Sequence, residues 1–151
     1  MTEPLFLLDG TALAYRAHFA FLRARLTDTQ GRPTGAVYGF VATLLKLLAD
    51  EAPDHIGVAF DPPGPTFRHE RYPEYKATRE RMDEDLAAQM PVLREVVRAF
   101  DIPVLEVPGY EADDVMATLA RRRRRAWTPT SSPATRTCAS AWTSTCASTT
   151  S

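Results

Sequence analysis

A chain of 151 residues, 44% hydrophobic and 25% charged, is long enough for one domain with a real core. A net charge of -1 excludes a partner held by bulk electrostatics, so any nucleic acid has to meet a local patch. No basic leader precedes Pro4, no apolar run approaches membrane-spanning length, and Cys138 and Cys146 have neither disulfide nor zinc spacing, so a cytoplasmic protein is expected.

Residues 4–8 read as a buried strand, and Asp9-Gly10-Thr11 turns it into a helix reaching about Phe21. Residues 22–34 read as a loop. Val37, Phe40, Val41, Leu44, Leu45 and Leu48 keep helical spacing from Gly35 to about Ala49. Residues 55–60 form the second expected strand. Residues 62–82, rich in Pro, Arg and Tyr, show no period, and a loop of that length is usually functional. Asp83 opens a helix to about Phe100, residues 102–107 make a third strand, Pro108-Gly109 turns, and a helix runs from Glu111 to about Arg124. Strand–helix alternation predicts an α/β fold, a parallel sheet with flanking helices and right-handed crossovers.

Five carboxylates sit where these strands hand over: Asp9, Asp61, and Glu111, Asp113 and Asp114. Strand C-termini of a parallel sheet share one edge, and that edge holds the binding crevice. Carboxylates gathered there repel one another unless cations hold them, and an oxygen-rich set suits Mg²⁺ or Mn²⁺. Two cations roughly 3.5–4 Å apart would activate water against a phosphodiester. Taken singly, each acid has a local explanation: Asp9 and Asp61 end strands, and acids in a first helical turn complement the helix dipole. The conjunction of the three sites favours the metal reading. From Phe67 to Arg79, Arg68, Lys76 and Arg79 alternate with Tyr72 and Tyr75 in a pattern that suits phosphates and bases, although a solvated loop explains it equally well. Arg121 to Arg125 end a helix, where cations complement the dipole. His18, His55 and His69 lack metal spacing, and no glycine-rich phosphate loop supports a nucleotide cofactor.

After Arg125 the composition changes to Thr, Ser, Ala, Trp and Cys without period, the mark of a disordered tail over 126–151. Two tryptophans and two cysteines do not suit such a tail and point to a frameshift. Read one base displaced, Ala126-Trp127-Thr128 can end in Val-Asp, and Ala134-Thr135-Arg136-Thr137 can give Asp-Lys-Asp. The whole stretch can read GVDADLVTGDKDLRQRVDEHVRLYDI: a strand, a turn, an acidic pair and a helix.

Leu7-Leu8-Asp9-Gly10, Ala36-Val37-Tyr38-Gly39-Phe40, Ala59-Phe60-Asp61, Phe67-Arg68-His69-Glu70, Tyr75-Lys76-Ala77-Thr78-Arg79 and Pro108-Gly109-Tyr110-Glu111-Ala112-Asp113-Asp114 occur in that order. Through them residues 5–120 resemble the N-terminal 5′→3′ exonuclease domain of bacterial DNA polymerase I, a relative of the flap endonucleases. The resemblance implies a PIN-like 5′ nuclease fold and metal-dependent hydrolysis of DNA at 5′ ends, flaps and nicks by a monomer. Asp9, Asp61, Glu111, Asp113 and Asp114 would hold two Mg²⁺ or Mn²⁺ ions, directly or through water. Lys76 and Arg79 would be catalytic, gripping the scissile phosphate and stabilising its charge. Tyr15 and Arg68 would help to hold DNA. The family continues with a further strand, a TGDKD-like motif and a helical clamp. As printed, 1–125 is therefore a partial domain, incomplete on its C-terminal side, with an open sheet edge and impaired activity. The displaced reading restores TGDKD. The alternative is a non-catalytic DNA-binding or inert fragment. A haloacid-dehalogenase phosphatase would need an aspartate where Thr11 stands.

Overall fold

The computed structural model describes residues 5–72, 74, 81–126 and 137–138; of 123–126 and 137–138 only the backbone is described. The elements run β1 (Leu5–Asp9), α1 (Gly10–Phe21), α2 (Gly35–Glu51), β2 (His55–Ala59), α3 (Phe67–Arg71), α4 (Glu84–Ala99), β3 (Val104–Leu105), α5 (Ala112–Ala126) and β4 (Thr137–Cys138). All strands are parallel, in the order β3-β2-β1-β4. The register sets Asp9 beside Ala59 and Ala59 beside Leu105, so the strand ends lie along one edge. This is the expected α/β sheet with flanking helices.

Alternation along β1 and β2 divides the core between the two faces of the sheet. Phe6, Leu8, Val58 and Phe60 pack with Phe40, Leu44, Leu86 and Leu93 of α2 and α4. Leu7 and Ala59 turn the other way, onto Ala112 and Met116 of α5. Gly10 allows α1 to start against this core: a Cβ there would lie 2.7 Å from both the Phe60 ring and Val58 Cγ1. Helix α2 starts without a side-chain cap from Thr34. Buried Gln89 of α4 supplies the acceptor instead, its Oε1 taking the N–H groups of Ala36 at 3.0 Å and Val37 at 3.2 Å.

Three expectations are corrected. Residues 62–82 contain α3, a helix too short to show a period. The third strand shrinks to Val104–Leu105: Glu106 is drawn to Arg94 at 2.7 Å, and Gly109, at φ +83°, turns the chain into α5. The sheet edge expected to stand open is met by Thr137–Cys138, which pair with Leu7 and Leu8 of β1. An unpaired parallel edge offers its N–H and C=O groups to any extended segment, and β-branched threonine suits one. The rest of the expected tail beyond Ala126 lies outside the described residues.

Candidate metal and nucleic-acid site

Asp9 ends β1 and caps α1, its Oδ1 accepting from Ala12 N at 2.8 Å. The same position keeps the carboxyl half-buried at the sheet edge. Burial pushes its pKa above the ordinary carboxylate value, and the negative charges of Asp61 and Asp113 add to the rise; the amides of Ala12 and Thr11 oppose it. Side chains from β1, the turn after β2 and the start of α5 thus share one electrostatic neighbourhood.

Asp61 is fixed from three sides. Its backbone N–H donates to Thr11 Oγ1 at 2.9 Å, and its carbonyl accepts from Arg94 Nη2 at 3.4 Å. Its Oδ1 accepts the N–H of Ala112 at 2.9 Å, one of the free donors in the first turn of α5. A carboxylate brought by another strand therefore satisfies that helix start, where the positive end of the helix dipole favours it. The local explanation of the acids at 111–114 as caps of their own helix holds for Asp114, whose Oδ2 accepts from Glu111 N at 3.3 Å.

Among the side chains of α5's first turn, Asp113 is exposed and Glu111 is buried. Asp114 is held by Arg68 in a two-pronged ion pair, Nη1 to Oδ2 at 2.6 Å and Nη2 to Oδ1 at 2.7 Å. The same Nη1 stands 3.4 Å from Glu111 Oε2. Arg68, expected to hold DNA, is thus engaged with two of the expected metal ligands. Tyr15 lies along the cleft that opens beside the site, and its ring stacks toward Phe19 at 6.5 Å. This cleft, about 1330 Å³, is also lined by Thr11, Asp61, His69, Arg94 and Glu111. Lys76 and Arg79 lie outside the described residues.

The donors are all oxygen, burial and then the charges of Asp61 and Asp113 raise the Asp9 pKa, and Asp61 and Glu111 line an open cleft. That chemistry fits a hard divalent cation. Among the described residues, however, no three His, Cys, Asp or Glu side chains stand as a ready cation cage. Asp9 and Asp61 each accept a helix N–H with one oxygen, and both oxygens of Asp114 are taken by Arg68.

Three contributors were not expected from the sequence: Thr11, Arg94 and Glu106. Arg94 lies over the Phe60 ring at 5.1 Å, beside its pair with Glu106. A charge set inside the apolar stripe of Met90, Leu93 and Val97 was the available signal.

An α/β domain with acidic side chains at its parallel strand ends and an arginine-lined cleft beside them has the layout of a nuclease domain, and the comparisons with known proteins agree. The chain belongs to the family described as 5′-3′ exonuclease, N-terminal resolvase-like domain, whose model matches residues 4–131. Over 116 residues it is 51% identical to DNA polymerase I of Mycobacterium bovis, a match covering 77% of this chain and 13% of that protein. Over 120 residues it is 42% identical to a 5′-3′ exonuclease of Aquifex aeolicus, covering 80% of this chain and 41% of that one. A solved structure described as divalent metal ions (zinc) bound to T5 5′-exonuclease superposes with a TM-score of 0.54 at 26% identity, covering 79% of this chain and 44% of that one. The chain therefore spans less than half the length of the relatives it matches.

Proposed function

We propose that this chain acts on DNA as a metal-dependent 5′-3′ nuclease, taking 5′ ends, flaps and nicks, at a rate reduced by the missing part of the acidic site. One observation carries the reading: Asp61 and Glu111 line a cleft that also carries Arg81 and Arg94, and the negative charges of Asp61 and Asp113 reach Asp9 at the sheet edge beside it. Asp9, Asp61, Glu111, Asp113 and Asp114 form the acidic set for Mg²⁺ or Mn²⁺, with two ions in the intact family site. When bound, such cations neutralise the phosphate and make water a better nucleophile. The rest falls to the protein. Thr11 and Arg94 fix the Asp61 backbone, and the start of α5 orients its carboxylate. Lys76 and Arg79 grip the scissile phosphate. Tyr15 and Arg68 help to hold the strand. The chain works as a monomer in the cytoplasm and needs no nucleotide cofactor. The change of composition after Arg125 reflects a lost base, which the coding DNA across Arg121–Arg125 tests.

The second reading is DNA binding without turnover. It draws on the lack of a ready three-ligand cage among the described residues. A labelled 5′-flap substrate with Mg²⁺ or Mn²⁺ separates the two. Slow release of the flap, stopped by EDTA, supports the nuclease. Binding that survives EDTA with no product supports the binding module, and neither binding nor product rejects both.

A further inference from the structure

Within the proposed metal site, we infer that Asp114 is a positioning residue that locks Arg68 and α3 onto α5, and is not itself a metal ligand. The inference rests on the nuclease reading and divides its acidic set. Both Asp114 oxygens are taken by one guanidinium, at 2.6 and 2.7 Å, and Oδ2 also accepts from Glu111 N at 3.3 Å. A cation at Asp114 would have to displace this charge-assisted fork and would then face the Arg68 charge at contact range. Among the described residues no such fork holds the neighbouring Asp113: it is exposed, and its charge is felt at Asp9.

What the fork secures is α3. A helix of five residues cannot hold itself. Its other ties reach the turn before α5: Phe67 N donates to Gly109 O at 2.9 Å, and the Phe67 ring meets the Tyr110 ring at 5.5 Å. Arg68 completes this docking, with its guanidinium carbon 4.9 Å from the Phe67 ring centre. Helix α3 in turn brings His69 to the cleft beside Asp61 and Glu111. Asp114 therefore shapes the wall that DNA meets, acting through Arg68.

Two measurements on the 151-residue chain test this, with Mn²⁺ affinity read from free-ion EPR and 5′-flap affinity read in EDTA. D113N is expected to lose at least tenfold in Mn²⁺ affinity, whereas D114N stays within about threefold of wild type. D114N, R68Q and R68K are each expected to weaken flap binding by about tenfold, since lysine cannot make the fork, and D114N/R68Q by no more than either single change. A D114N chain that loses Mn²⁺ as D113N does, or flap losses that multiply in the double variant, overturns the inference. A wild-type chain that takes up no Mn²⁺ removes the metal reading instead, and the flap measurement in EDTA still decides for or against the lock.

Discussion

Replacing Arg94 with methionine removes a cation that ties α4 to two strand ends. Its Nε meets Glu106 Oε2 at 2.7 Å, and its Nη1 and Nη2 donate to the carbonyls of Met90 at 3.3 Å and Asp61 at 3.4 Å. The side chain is 19% exposed and that of Glu106 29%, so water partly screens the pair. A hydrogen bond to a charged group contributes roughly 1.5–3 kcal/mol, reduced here by that screening to about 1–2 kcal/mol. The contact with the Phe60 ring adds about 0.5–1 kcal/mol. The two carbonyl contacts are long and contribute little, and methionine keeps much of the packing. The expected loss is about 1.5–3 kcal/mol, a large part of the roughly 5–15 kcal/mol that holds a domain of this kind together. E106Q keeps an acceptor and is expected to lose only about 1 kcal/mol, and R94M/E106Q about the same as R94M alone. Urea unfolding of the single and double variants in EDTA measures all three. Losses that simply add would show that the two side chains are not coupled. A loss below about 0.5 kcal/mol for R94M would place Arg94 among ordinary surface residues and refute the weight given to its contacts with Glu106 and the Phe60 ring.

Asp9→Asn is expected to stabilise the metal-free protein at neutral pH, because asparagine keeps the cap and loses the crowded charge. Since burial raises the Asp9 pKa, its contribution to stability is complete below the ordinary value of 3.8 and is lost as pH rises through the folded value. Thermal melts in EDTA should therefore show D9N above wild type at neutral pH and the gain vanishing toward about pH 4; a gain that persists in acid contradicts the cause given. Gln89→Met leaves the buried N–H of Ala36 and the half-buried N–H of Val37 without their acceptor and is expected to cost about 2–4 kcal/mol in urea unfolding, with an unchanged midpoint as the contrary result.

The fold was legible where hydrophobic period and turn chemistry agree. Leu5–Asp9, Gly35–Glu51 and Glu84–Ala99 lie within a few residues of their expected bounds, because each buries a continuous apolar face and ends at a clear stop. Helix α3 escaped because five residues make too short a pattern, and its stability comes from contacts with residues 109–114. That Asp9 and Asp61 end neighbouring strands on one edge was readable, since parallel strands bring their C-terminal residues together. The partners of those acids were not. Nothing local foretells that Asp61 takes an N–H of α5, or that Arg68 turns inward to Asp114 across 46 positions of sequence. Such pairings arise from tertiary packing, which side-chain spacing along one element does not encode.

The location of the cation is the claim on which the nuclease account depends. Loading the protein with Fe²⁺ in place of Mg²⁺, adding hydrogen peroxide with ascorbate to recycle the iron, and mapping the backbone cuts by mass spectrometry reads that location directly. Cuts gathered at Asp9, Asp61 and Glu111–Asp113, and suppressed by excess Mg²⁺, are the expected result. Cuts spread over other surfaces, or indifferent to Mg²⁺, would contradict it.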